Sequence, residues 1–173
     1  MKIGVTCHPS TGGSGILATE LGLAMADRGH EVHFVTLGHP FRLPEFHARV
    51  YNHAVPVITY PLFHQHPCSL ALASQIAEVA EEVDIDIWHA HYAIPHAASA
   101  ILARDTLAAD KRFKLVTTLH GTDITLVGAD PSFFRITKYS MECSDAVTAV
   151  SNWLAEETRR EFSLTSPIHT IYN

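Results

Sequence analysis

Long hydrophobic runs are missing from this sequence. Nothing in its 173 residues approaches the about 18 consecutive apolar residues of a membrane helix, and the opening MKIGVTC lacks a secretory leader's apolar core. Positive charge is scarce as well: 12 Lys and Arg face 18 Asp and Glu, for a formal net charge of −6. The cations are scattered, which argues against a nucleic-acid partner or an anionic membrane surface. Any cation that serves an anionic ligand must be a local device.

Cysteine is limited to Cys7, Cys68 and Cys143, far apart and without C-x-x-C spacing. That pattern disfavours disulfides and structural zinc and fits a reducing cytoplasm. Cys7 reads as a small core residue of the first strand. The chain has no G-x-S-x-G elbow, no G-x-x-x-x-G-K-[ST] phosphate loop and no Cys beside a convincing base, so covalent hydrolase and NTPase readings have no support. Internal repeats and low-complexity segments are also missing.

What is present suits one globular domain, residues 1–173, with 47% hydrophobic and 17% charged residues. Histidine is abundant, at 13. His64-x-His66 and His89-x-His91 are the close pairs, and in a strand i and i+2 share a face, so His89 and His91 can converge. Neither pair has an evident third ligand. The expectation is therefore no metal, with ordinary buried or solvated histidines.

Short apolar runs alternate with helical periods. Strands are expected at Lys2–Cys7, Glu31–Leu37, Arg49–Val55, Asp86–Ala90, Lys114–Leu119, Ala146–Val150 and Ile168–Tyr172. Helices are expected from Ser14 to Arg28, with Leu17, Leu21 and Met25 on one face and Gly29 as the stop. Further helices are expected around Leu70–Val83, Pro95–Ala109, Pro131–Cys143 and Asn152–Glu161, with a turn-rich link at 56–67 carrying Pro56, Pro61 and Pro67. This alternation predicts an α/β fold: a doubly wound, mainly parallel Rossmann-like sheet with helices on both faces. Ligands of such sheets sit beyond the strands' carboxyl ends at a switch point, after residues 7, 37, 90, 119, 150 and 172.

The first of those turns reads HPSTGGSGILATELG, with Gly12, Gly13 and Gly15 flanking Ser14. Glycine admits close backbone approach, and a helix N-terminus favours negative charge. Ser14 is the N-cap candidate, but a simple cap does not need three glycines, which favours ligand contact. Gly13, Gly15 and Ala18 also satisfy G-x-G-x-x-[GA], yet the second strand ends in Thr36-Leu37-Gly38-His39 without the carboxylate NAD binding wants. Arg42 is the one residue there suited to a 2′-phosphate.

Other strand ends add Tyr92, Thr117, Thr118, His120 and Gly121, with Asp123 expected to brace the HGTD turn. Arg135 and Lys138, one helical turn apart, are alternative cations for the cleft, against a solvated face for both.

The GGSG loop, LATELGLAMADRGHEVHFVT, HAHYAIPHA, VTTLHGTDIT and SDAVTAVS together resemble the N-terminal half of a GT-B glycosyltransferase of retaining family 4. CHPSTGGSGILATELG, GHPFRL and LHGTDIT are similar to the branch that transfers GlcNAc from UDP-GlcNAc to the L-malate hydroxyl in bacillithiol biosynthesis, although His8 stands where that branch usually has Tyr. The resemblance implies acceptor binding by Ser14, Tyr92, Thr118 and Asn173, with Lys138 as the cation. It also implies contact of the Gly12 and Gly13 amides with the donor diphosphate or the acceptor, and a catalytic His120 touching the donor sugar. It implies a UDP-sugar donor, L-malate, no metal or other cofactor, and a second, C-terminal domain as partner; a homo-oligomer is compatible with it. On that reading residues 1–173 are the N-terminal domain, which folds alone, binds malate weakly and is inactive by itself. Alternatives are another small acceptor (an inositol phosphate or sugar phosphate), an NAD(P)-binding oxidoreductase domain, or a non-catalytic binding module.

Overall fold

A computed structural model describes residues 1–57, 62 and 66–173. The expected Pro61 turn and His64 lie outside the described residues. In chain order the elements are β1 (Lys2–Thr6), α1 (Gly13–Asp27), β2 (Glu31–Thr36), β3 (Val50–Ala54), α2 (Cys68–Val83) and β4 (Ile87–His91). There follow α3 (Ala98–Thr106), β5 (Lys114–Leu119), α4 (Thr122–Thr125), α5 (Phe134–Glu142), β6 (Ala146–Ala149), α6 (Asn152–Phe162) and β7 (Ile168–Thr170). The strands form one sheet in the order β3-β2-β1-β4-β5-β6-β7, and all six pairings are parallel. The doubly wound expectation holds. Between β1 and β4 the winding reverses, so the turns after these two strands flank the switch point.

The inner strands bury both faces, whereas the edge strand β3 is largely exposed. On one face, Ile3, Val5 and Cys7 of the β1 segment pack with Ala18 and Ala26 of α1 and with Val32 and Phe34. Cys7 is 1% exposed, and burial pushes its thiol up to about 12, so it is an inert core group as expected. On the opposite face Trp88 lies against β1: a Cβ at Gly4 would stand 2.3 Å from the indole ring, and the indole N–H donates to Thr6 Oγ1 at 2.6 Å. Trp88 anchors the core formed with α2 and α3. Register then puts His89, paired with Val5, on the α1 side of the sheet.

Four local expectations need correction. The buried stripe of α1 is Gly15, Ala18, Thr19, Gly22 and Ala26, whereas Leu21 is 37% exposed and Leu17 and Met25 are only half-buried. Small residues win because helix and sheet approach closely: a Cβ on Gly22 would sit 2.4 Å from the Phe34 ring. The N-cap is Gly12, not Ser14, and no side chain caps it. The helix expected over Pro95–Ala109 does begin there, as a π-helical turn over Ala93–Ala97 that leads into α3, but it ends at Thr106, because Leu107 turns extended and buries its side chain. The helix expected from Pro131 starts at Phe134, since residues 130–133 form a turn in which the Asp130 carboxylate accepts from Ser132 N–H at 2.9 Å. Gly29, at φ +91, ends α1 as expected.

Among the described residues no helix is long and apolar enough to cross a membrane. All three cysteines are unpaired thiols.

Candidate functional site

Polar groups gather at the carboxyl rim of β1, β4, β5 and β6. The turn after β5 is built around Asp123, 1% exposed. Its Oδ1 accepts from the amides of His120 (3.1 Å) and Gly121 (2.9 Å), and its Oδ2 accepts from Ala93 N–H at 3.1 Å. One carboxylate thus ties the turn after β5 to the turn after β4, the bracing role expected of it. Burial raises its pKa above the usual carboxylate range, with the amide hydrogen bonds pulling the other way. Gly121 supplies the φ of +120 that this turn needs.

Tyr92 opens the turn after β4 at φ +88, a conformation side-chain-bearing residues rarely adopt. Two backbone hydrogen bonds hold it: its N–H donates to Thr118 O at 2.9 Å, and its C=O accepts from Ala97 N–H at 3.1 Å. The ring stacks on His120 with centroids 5.2 Å apart, and the hydroxyl lies 3.1 Å from Thr122 Oγ1. His8, at the start of the glycine turn, meets the edge of Tyr92 at 5.0 Å and His96 at 4.5 Å. A ring ladder therefore connects the turns after β1, β4 and β5.

Behind the ladder lies a row of histidines. His91 Nδ1 and His120 Nε2 are hydrogen-bonded at 3.0 Å, and the His89 and His91 centroids stand 4.3 Å apart. His96 Nδ1 donates to the His91 carbonyl at 2.6 Å. His89 Nε2 meets Thr118 Oγ1, which meets Thr148 Oγ1, each at 2.7 Å. Desolvation favours neutral rings here: burial lowers His89 and His120 to about 4, His96 to about 3, and His91 well below the ordinary value. Among the described residues no three His, Cys, Asp or Glu side chains are placed to share a metal ion.

A cavity of about 180 Å³ opens beside this row, lined on the polar side by His89, His91, Thr118, Thr148 and Asn173. Leu17, Leu21, Val116, Ile171 and Tyr172 form its apolar walls. A larger groove of about 360 Å³ between α2 and α3, bordered by Leu70, Ala77 and Leu102, has no comparable set of hydrogen-bonded polar groups.

The structure sets Thr118 and Asn173 on one cavity and stacks Tyr92 on His120, which His91 links to that cavity. Gly12, Gly13 and Ser14 open α1, where, among the described residues, no hydrogen bond from the chain caps the first-turn amides. Only Gly15 of the three glycines is demanded by packing: a Cβ there would stand 2.4 Å from His8 O, whereas Gly13 faces open space. Lys138 stands apart from the network on α5, its ammonium 3.8 Å from Glu142 Oε1. Arg135 is exposed on the same helix. Arg42 is engaged by Glu20 at 2.9 Å, away from the end of β2.

Sequence reasoning missed His91, His96 and Thr148 as site components. The shared face of His89 and His91 was visible; their meeting with His120 and Thr118 depends on the β4–β5 register, His91 opposite Thr118.

Comparison with known proteins agrees with this architecture. The sequence profile for Glycosyltransferase Family 4 matches residues 11–173. A Bacillus anthracis protein named N-acetyl-alpha-D-glucosaminyl L-malate synthase is 51% identical over 173 residues, covering 100% of this chain and 45% of its own length. Anabaena HepE in complex with UDP-glucose superposes with a TM-score of 0.67 at 15% identity, covering 100% of this chain and 44% of that one. A Rickettsia africae glycosyltransferase gives 0.63 at 17% identity, over 99% of this chain and 42% of that one. At such identities the two structures show the fold alone. The chain spans less than half the length of these relatives.

Proposed function

This chain belongs to glycosyltransferase family 4, and from that premise we propose that it is the acceptor-side half of a two-domain retaining hexosyltransferase. The reaction proposed is transfer of GlcNAc from UDP-GlcNAc to the hydroxyl of L-malate. The observation that carries this reading is 51% identity, across every residue of the chain, to a relative whose name states that product. The cavity supports it chemically, because Thr118 and Asn173 meet there beside histidines that burial keeps neutral.

In this reading Thr118 and Asn173 take one end of malate, with Tyr92 and Ser14 along the rim, and Lys138 must turn from Glu142 to supply the cation. The Gly12 amide, held only by a long bond to Ser10 Oγ, and the Gly13 amide face the donor diphosphate, where the α1 dipole favours negative charge. His120 contacts the donor sugar. The malate hydroxyl attacks the anomeric carbon from the side on which UDP departs. The C1–O bond to phosphate breaks, and the hydroxyl proton passes to the departing diphosphate oxygen. No protein nucleophile enters, so catalysis is positioning plus stabilisation of the leaving charge. UDP-GlcNAc is a substrate, and the scheme asks for no cofactor. The nucleotide-binding half belongs to a second domain, and a cytoplasmic setting suits three unpaired cysteines and a nucleotide sugar.

The test is a product assay of the two-domain enzyme with UDP-GlcNAc against malate, an inositol phosphate and a sugar phosphate. Selective formation of an α-configured GlcNAc–malate is expected. Preference for a phosphorylated polyol overturns the acceptor assignment, and transfer by residues 1–173 alone overturns the division of labour.

A further inference from the structure

Among the described residues one buried side-chain nitrogen has no partner. His91 is 1% exposed and its Nδ1 is engaged with His120, yet its Nε2, also buried, makes no hydrogen bond. A buried polar atom left without a hydrogen bond is costly, so this one calls for a partner. The ring borders the cavity beside Thr118 and Asn173, which is where a partner can enter. On the other side of the pair, the hydrogen bonds among the described residues leave His120 Nδ1 unclaimed at the rim, where Tyr92 covers one face of the ring.

Both rings are neutral because burial disfavours their charged forms. Each therefore carries one proton, and one proton lies between His91 Nδ1 and His120 Nε2. If that bridging proton belongs to His91, its Nε2 is a bare acceptor and His120 Nδ1 is a donor. If it belongs to His120, His91 Nε2–H is a donor and His120 Nδ1 is a bare acceptor. The two outward nitrogens always have opposite character, so what binds one side sets the other.

Resting on the function proposed above, we propose that His91 and His120 form a tautomer relay. A malate carboxylate in the cavity fixes the proton on His91 Nε2 and makes His120 Nδ1 an acceptor for a donor-sugar hydroxyl. An ionised carboxylate only accepts hydrogen bonds, which selects the second arrangement. In the switch the bridging proton moves from His91 Nδ1 to His120 Nε2. His120 Nδ1 releases a proton to cleft water, and His91 Nε2 takes one from water in the cavity. Both rings stay neutral. His91 is thus an acceptor-contacting residue that also positions the proton of His120, and acceptor and donor sugar strengthen each other's binding reciprocally.

The experiment is ¹⁵N-imidazole NMR of the 173-residue chain, titrated with L-malate. The expected result is that His120 Nδ1 loses its protonated signature while His91 Nε2 gains one, along the saturation curve of the Thr118 and Asn173 amides. Malate that shifts those amides while the His120 tautomer stays put overturns the relay alone. Malate that shifts nothing removes the acceptor reading, and the relay falls with it. In the two-domain enzyme His91→Asn, which keeps a group at the Nδ1 position and removes the outward nitrogen, should raise the malate KM about tenfold or more. It should also abolish the effect of malate on the KM for UDP-GlcNAc. An unchanged malate dependence in this variant overturns the relay.

Discussion

The turns after β1 and after β5 both carry glycine, both lie at the carboxyl rim, and they are built in opposite ways. The HGTD turn is held by a buried carboxylate with three backbone amides on it, and its histidine is locked to a second histidine. The turn from His8 to Ser14 keeps Gly12 and Gly13 exposed, and its hydrogen bond from Gly12 N–H to Ser10 Oγ is long, at 3.4 Å. One turn is shaped before any ligand arrives. The other, among the described residues, leaves the Gly13 amide unclaimed and offers room. Preorganisation suits a partner that must be oriented, and openness suits the diphosphate that the proposed function brings in on another domain.

Acidification should break the ordered side first and with the largest effect. Because the His89, His96 and His120 pKa values are lowered in the fold, the native state excludes protons that the unfolded chain accepts below the ordinary 6.5. Their contribution is complete above that value and is lost as pH falls toward about 4 and, for His96, about 3. Each ring costs about 1 kcal/mol per pH unit across the window, so unfolding midpoints in urea should drop steeply between pH 6.5 and 4.5. A flat profile would show the rings to be solvated. Asp123 works with the opposite sign, favouring the fold slightly as it protonates.

Asp123→Ala comes next. Stranding three amides should cost about 3 kcal/mol, read as a lower urea midpoint, and Asp123→Asn should recover part of it. Smaller still is Gly15→Ala, whose Cβ meets the immovable carbonyl oxygens of His8 at 2.4 Å and Ser10 at 2.7 Å, for about 1–3 kcal/mol. Gly13→Ala should change stability by less than about 0.5 kcal/mol, since nothing lies within 4 Å of its new methyl, while weakening donor use by the two-domain enzyme. Equal stability losses at Gly13 and Gly15 would erase the contrast between packing and ligand-facing glycines.

That contrast also marks where sequence reading stops. Seven strands were legible within about two residues at each end, because buried parallel strands are short apolar runs bounded by turn residues. The buried face of α1 was not, because leucines draw the eye while Gly15, Ala18 and Gly22 make the close contact. Asp123 was legible as a brace, since an Asp two residues past a glycine is local chemistry. The histidine row was not. His91 reaches His120 through cross-strand register 29 residues apart, and no local pattern encodes that.

The central claim is that the two turns, unlike in build, serve one cleft. Amide NMR of the chain during an L-malate titration tests it most directly. The account predicts that Ser14 on one turn and Thr118 and His120 on the other shift together along a single saturation curve. Shifts confined to one turn, or following two separate curves, would contradict it.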